Sequence, residues 1–317
     1  MTQRESNPFE YSDDNKRYLT YSYYLRKRFG KKVFKVPLNI DQGCPNRDGT
    51  KGTGGCIFCS AKLSGDFAGD PCDDIADQYR KVRAMMSRKW QDGLCIPYFQ
   101  AGSNTYGDTE TLRRMFETAL GFENAAGLSI ATRADCIDAE KADMLAELAE
   151  KTYLTVELGL QSIHDKTADF CNRCHTFEEF LSGFGLLKER GINVCVHIIN
   201  GLPFENHDMM VQTARVCGEL GIHSIKIHLL HILRNTRLAR LYENGVFEAM
   251  SRKDYVDVVC DQIELMPEDV IIQRVTGDGA KEELIAPLWS LKKFCVMNEI
   301  DKELYRRDSW QGKALKI

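Results

Sequence analysis

Three cysteines, Cys44, Cys56 and Cys59, fall inside the glycine-rich stretch NIDQGCPNRDGTKGTGGCIFCS that runs from Asn39 to Ser60. Thiolates gathered this closely bind metal. Cys56 and Cys59 form a C-x-x-C pair, a separation at which two sulfurs reach one metal centre, and Cys44 returns across eleven intervening residues. Gly49, Gly52, Gly54 and Gly55 permit positive φ and close backbone approach, so the loop can wrap a compact group. An ordinary zinc or iron–sulfur site takes a fourth protein ligand. None follows at metal-site spacing, since twelve residues separate Cys59 from the next thiol, Cys72. Two readings stay open on the residues alone. One is a zinc knuckle; the other is a four-iron cube with three protein ligands, whose remaining iron is open to a small molecule and therefore reactive.

The pattern C-x11-C-x-F-C, with Phe58 inside the closing pair, follows an apolar strand and resembles the radical S-adenosylmethionine (SAM) superfamily. The strings GCPNRDG and GGCIFC narrow the resemblance to its Elp3-like branch and, within that branch, to the YhcC/YtqA (MnmL-type) group. It runs from about Lys32 to Trp289. The resemblance implies an α/β fold, a partial (βα)6 barrel, with a 4Fe-4S cluster on Cys44, Cys56 and Cys59 and SAM chelated to the open iron.

It also implies SAM contacts on strand ends and loops, with Phe58 beside the cluster. Gln100, Gly102 and Ser103 stand where the resembled enzymes carry a glycine-rich segment for the SAM amine, although only Gly102 is glycine here. Glu157 and Gln161 belong to the family's E-x-G-x-Q-S string, and Arg173 lies twelve residues past Gln161, where relatives place an arginine for the SAM carboxylate. A guanidinium suits that role through bidentate, charge-assisted hydrogen bonds. His197 sits where relatives reach the ribose. The bland alternatives are a surface ion pair for Arg173 and a satisfied core residue for His197. Two departures stand out. Ala131 replaces a glutamate on the third strand, and Cys174 replaces an expected glycine, creating a second C-x-x-C from Cys171 for which no further ligands stand at metal-site spacing.

The implied reaction is reductive cleavage of SAM, driven by a flavodoxin- or ferredoxin-type electron donor, and removal of a hydrogen atom from substrate. The implied substrate is tRNA at its wobble uridine, with a 5-carboxymethylaminomethyl group remodelled to 5-aminomethyl. The chain ends at Ile317 without room for an acetyltransferase domain, so acetyl-CoA chemistry is expected to be absent, and no thiol precedes Cys44 to build the extra cluster of a methylthiotransferase. The competing readings are a radical SAM enzyme on a non-tRNA substrate and a non-enzymatic zinc-binding RNA module.

Strands and helices must alternate to position these groups. Strands are expected over residues 32–40, 93–101, 128–132, 153–160, 192–200 and 221–230, separated by helices over 73–90, 108–122, 138–151, 176–190 and 207–220. Such alternation with short crossovers predicts a parallel sheet curled into a partial barrel over residues 32–232. Chemistry then collects at the C-terminal strand ends. Lys226, His228 and His231 on the sixth strand, and Arg274 beyond it, stand between a substrate role and that of inward polar residues in a parallel sheet. Residues 233–317 read as an extension, including an apolar strand from Val270 to Val275, that covers the barrel's open side.

Length suffices for one large α/β barrel-type domain or two ordinary ones, and the composition is that of a soluble globular chain. The 317 residues are 43% hydrophobic and 28% charged, no apolar run approaches a membrane span, and the N-terminus lacks the apolar core of a secretory signal. The expected location is the cytoplasm, where twelve cysteines are reduced thiols rather than disulfides. A net charge of −4 excludes a global cationic field for nucleic acid. Locally, residues 1–31 form a basic and aromatic segment, and Lys16 to Lys35 carries eight basic residues among six aromatics without an acidic one. That patch suits RNA phosphates and bases, or equally an amphipathic helix whose tyrosines pack on the barrel.

Overall fold

The computed structural model describes residues 9–63, 65, 68–277 and 279–315. Among them the strands are β1 (Val33–Leu38), β2 (Leu94–Phe99), β3 (Gly127–Thr132), β4 (Tyr153–Gln161), β5 (Asn193–Asn200), β6 (Ser224–Leu229), β7 (Ile232–Leu233), β8 (Ile271–Arg274) and β9 (Leu284–Ala286). The helices are α1 (Tyr21–Phe29), α2 (Ile75–Ser87), α3 (Thr109–Leu120), α4 (Ala139–Lys151), α5 (Asp165–Phe170), α6 (Phe177–Glu189), α7 (His207–Glu219), α8 (Arg237–Glu243), α9 (Arg252–Glu264) and α10 (Lys293–Arg306). The six expected strands line up in chain order, all parallel, and β8 from the C-terminal part adds a seventh beside β6.

Short polar caps start the crossover helices. The side chains of Asp74, Asp108, Asp138 and Asn206 accept backbone N–H groups at the starts of α2, α3, α4 and α7, and Thr176 with Glu179 forms a reciprocal capping box on α6. Each cap satisfies an N–H that the first turn cannot pair, so helix starts are fixed locally.

Period-two alternation then gives every strand a helix-facing side and a lumen-facing side. Val36 and Leu38, Val156 and Leu158, Val194 and Val196, and Ile225 and Ile227 lie buried in the core with helix residues such as Phe116, Leu145, Phe180 and Leu187. Full burial of each such side chain contributes roughly 1.5–3 kcal/mol, so the outer face carries the fold's cohesion. The inner face is thereby released for polar groups.

The N-terminal segment closes the other end of the strands. Leu25 of α1 packs with Val33, Ile96 and Tyr153, joined by Tyr21, Tyr24 and Phe29, while the Ile272 N–H donates to the carbonyl of Leu19 across 2.9 Å. Tyr18 and Phe34 are buried as well, so most aromatics of the basic stretch serve as packing. At the opposite end, Ile232, Leu238 and Ala286 pack against Ile57 and Phe58 of the cysteine loop, and the Leu238 N–H donates to the carbonyl of Ile57.

Candidate functional site

Cys44, Cys56 and Cys59 face one cavity of about 730 Å³ at the C-terminal ends of the strands, and among the described residues no other cysteine lines it. The loop's shape is held by its own polar groups. The Arg47 N–H donates to the carbonyl of Cys44, the Cys59 N–H donates to that of Cys56, and the Arg47 guanidinium donates to the carbonyl of Ser60 at 2.6 Å. Asn172 donates its amide to the carbonyls of Thr53 and Gly55. Buried Asn46 lies 3.6 Å from Cys56 Sγ through its amide nitrogen. A Cβ on Gly52 would stand 2.5 Å from Asn46 and 2.6 Å from Cys174 Sγ, so only glycine fits there.

The expected SAM-contact residues all line this same cavity: Phe58, Gln100, Gly102, Ser103, Glu157, Gln161, Arg173 and His197. Gly102 adopts φ +70° and the adjacent Ser103 N–H donates to the carbonyl of Gly43, which fastens the end of β2 to the cysteine loop. Gln161 is held at φ +71°, beside an irregularity in the β4–β5 register, and its Oε1 is buried without a partner. A Cβ on Gly159 would come within 2.8 Å of that side chain's Nε2. Arg173 arrives on a loop after α5, a six-residue helix too short to announce itself by periodicity. Its guanidinium donates to the carbonyl of Gly159 at 2.7 Å and meets His175 at 3.2 Å, yet its buried Nε has no partner. Arg133 secures that loop by donating to the carbonyls of Arg173 and Cys174 while gripping Asp135 through two contacts of 2.9 Å.

Deeper in the lumen a single carboxylate on β4 gathers donors from five other strands. Glu157, wholly buried, accepts from Lys35 and Ser129 on Oε1 and from Tyr98, His197 and Lys226 on Oε2, with Tyr98 and His197 each at 2.8 Å. Burial opposes its ionisation, but Lys226 and Lys35 outweigh burial and hold the carboxyl well below its usual range. Burial pushes Lys226 down to about 8 and, with the Lys226 charge, lowers His197 to about 4, so the imidazole is neutral at pH 7. Burial and neighbouring His197 likewise keep His228 uncharged. The two rings sit 5.1 Å apart. Lys226, His228, His231 and Arg274 line the cavity, which settles their inward orientation.

Sequence reasoning missed Lys35, Tyr98 and Ser129. Its place in the basic stretch suggests a phosphate-binding or solvent-facing lysine, whereas Lys35 points into the lumen between Tyr21 and Tyr98. The available signal was parity: Lys35 is two residues from Val33 and Pro37, and Tyr98 two from Gln100, all of them lumen-facing.

The donor set fits the expected cofactors. Three cysteines line the cavity, and three sulfurs are the number that would hold a four-iron cube with one iron left for a small molecule. Unpartnered buried polar atoms are rare in proteins, and Gln161 Oε1 and Arg173 Nε are among those in the wall of this cavity. They suit a ligand carrying both an ammonium and a carboxylate.

Residues 38–217 match the radical SAM superfamily, and residues 222–306 match the radical SAM C-terminal domain. The chain is 50% identical to the protein YtqA of Bacillus subtilis (strain 168) over 309 residues, covering 98% of this chain and 96% of that one. It is 24% identical to the tRNA uridine(34) acetyltransferase of Methanocaldococcus jannaschii over 172 residues, which is 53% of this chain and 31% of that protein. The structure of Methanocaldococcus infernus Elp3 superposes with a TM-score of 0.65 at 17% identity, covering 88% of this chain and 64% of that one. No helix among the described residues is long and apolar enough to cross a membrane. Matched along more than half its length and sharing half its residues with YtqA, the chain belongs to the radical SAM superfamily.

Proposed function

We propose that this radical SAM enzyme modifies tRNA in the cytoplasm, shortening the 5-carboxymethylaminomethyl group of a wobble uridine to 5-aminomethyl. The observation that carries the reading is the joining of three cysteines and a polar lumen in one cavity, large enough for SAM and a flipped base. A second support is the likeness to a tRNA uridine(34) acetyltransferase. The superfamily's cofactors, a 4Fe-4S cluster and SAM, supply on one-electron reduction a 5′-deoxyadenosyl radical able to remove hydrogen from an unactivated C–H bond.

The chain's residues do the rest. Cys44, Cys56 and Cys59 would hold the cluster, with Phe58 lining the same cavity. Gly102 and Ser103, with Gln100, frame the SAM amine. Arg173, fixed by Gly159 and Arg133, takes the SAM carboxylate, and Gln161 supplies an acceptor. His197, neutral and anchored on Glu157, faces the ribose. A lower end packed with Leu25, Tyr21 and Tyr24 would keep mobile C–H and S–H donors away from such a radical. Electrons come from a flavodoxin- or ferredoxin-type partner.

Deleting the gene and analysing tRNA digests by mass spectrometry tests the substrate. The expected result is accumulation of the carboxymethylaminomethyl nucleoside with loss of its aminomethyl product. An unchanged nucleoside profile removes the wobble-uridine reading and leaves the radical chemistry standing.

A further inference from the structure

The lumen of β1, β4 and β6 holds more positive than negative charge. Lys35 and Lys226 both donate to Glu157, and among the described residues Glu157 is the one carboxylate lining the cavity. Each ammonium carries three N–H groups. Lys35 donates to Glu157 and to Gln273 Oε1 at 3.0 Å; Lys226 donates to Glu157 and to the Tyr98 hydroxyl at 3.3 Å. Beyond these, Lys35 lies over the rings of Tyr21 and Tyr98 and Lys226 over that of Tyr98, and among the described residues neither ammonium has a second carboxylate in the cavity wall. The neighbouring imidazoles add no negative charge, and His228 Nε2 is buried without a partner. Removing an ammonium from water without full neutralisation is expensive, and a fold whose stability rests on its outer face has no structural need for two of them here.

We infer that the space beside Lys226 and Lys35 is an anion subsite that receives a carboxylate carried by the substrate. Glu157 holds both lysines in place and takes up one of their two charges, so the pair presents a net single cation to an entering monoanion. A polynucleotide phosphate is bound to a bulky backbone and does not suit a site enclosed by seven strands; a carboxylate at the tip of a slender substituent does. This rests on the proposed wobble-uridine reading and deepens it: the group removed would be the group recognised. Product bearing only an ammonium would meet that net positive charge, which favours its release.

Two measurements on the cluster-loaded full chain with SAM test the subsite. The first is thermal unfolding in sodium formate against sodium chloride and against neutral formamide at matched concentration. Formate should raise the unfolding temperature of the wild type and of Lys226→Arg, but not of Lys226→Gln, while formamide should shift none of them. The second is binding of an anticodon stem-loop carrying 5-carboxymethylaminomethyluridine and of its methyl ester. Esterification should weaken wild-type binding about tenfold and Lys226→Gln binding little, since a charged hydrogen bond is worth about that factor. A formate effect with neither stem-loop bound supports the subsite and overturns the wobble-uridine reading. No formate effect together with equal affinity for acid and ester overturns the subsite. Retention of the cluster's absorption spectrum in Lys226→Gln separates loss of the subsite from loss of the fold.

Discussion

A Cβ added to Gly102 would stand 2.5 Å from the carbonyl oxygen of Gly43, so the end of β2 and the cysteine loop touch through bare backbone. Two constraints converge there. The φ of +70° disfavours any side chain, and the neighbouring atom is main chain that cannot swing aside.

Gly102→Ala should therefore cost about 1–3 kcal/mol and displace the loop that carries Cys44. Thermal denaturation and iron content after anaerobic reconstitution check this. Unaltered iron loading would show that the contact does not shape the cluster site.

Cys56→Ala should abolish the brown colour, the content of about four irons per chain and all SAM cleavage. Cys174→Ala should retain them, because Cys174 packs at Gly52 outside the cavity lining. SAM cleavage that persists in Cys56→Ala contradicts the mechanism, and a variant at Cys174 that loses iron would make it a ligand.

Glu157→Gln leaves Lys35 and Lys226 without their shared counter-charge. Breaking a buried ion pair from one side costs about 3–5 kcal/mol, so a large fall in unfolding temperature is expected. Replacing Glu123, the exposed partner of Arg83 after α3, should cost far less. Comparable losses in the two variants would mean that the lumen carboxylate is not the keystone.

Acid sensitivity follows from the buried histidines. Burial, with Arg173 close by, lowers His175 to about 3, and burial with Lys226 lowers His197 to about 4, whereas both titrate near 6.5 when unfolded. The unfolded chain thus binds more protons between those values. Stability is complete above about pH 6.5 and falls as pH drops towards about 4, by up to about 1.4 kcal/mol per pH unit for each histidine. Urea midpoints measured across this range should fall steadily, and His197→Gln should flatten the slope; a level profile would show that these imidazoles are not buried neutral.

Much of the site was legible because its signals are local. Ligand spacing and glycines lie within Asn39 to Ser60, and the string from Glu157 to Ser162 occupies one strand end, so neither depends on what folds against it. Helix starts were legible for the same reason: Asp74 and Asp108 cap through contacts three residues away. The short α5 that delivers Arg173 and the pairing of β8 with β6 gave no such signal.

By itself the sequence determined the three-thiol loop, the alternation of strands and helices, and the order in which cofactor-facing segments arrive. Only the tertiary structure decided which charges meet. Lys35 and Lys226 converge on Glu157 from 122 and 69 residues away, and Tyr98 from 59. The physical reason is that period two tells which residues of a strand share a face, while sheet curvature and inter-strand register determine which face becomes the lumen and what lies opposite.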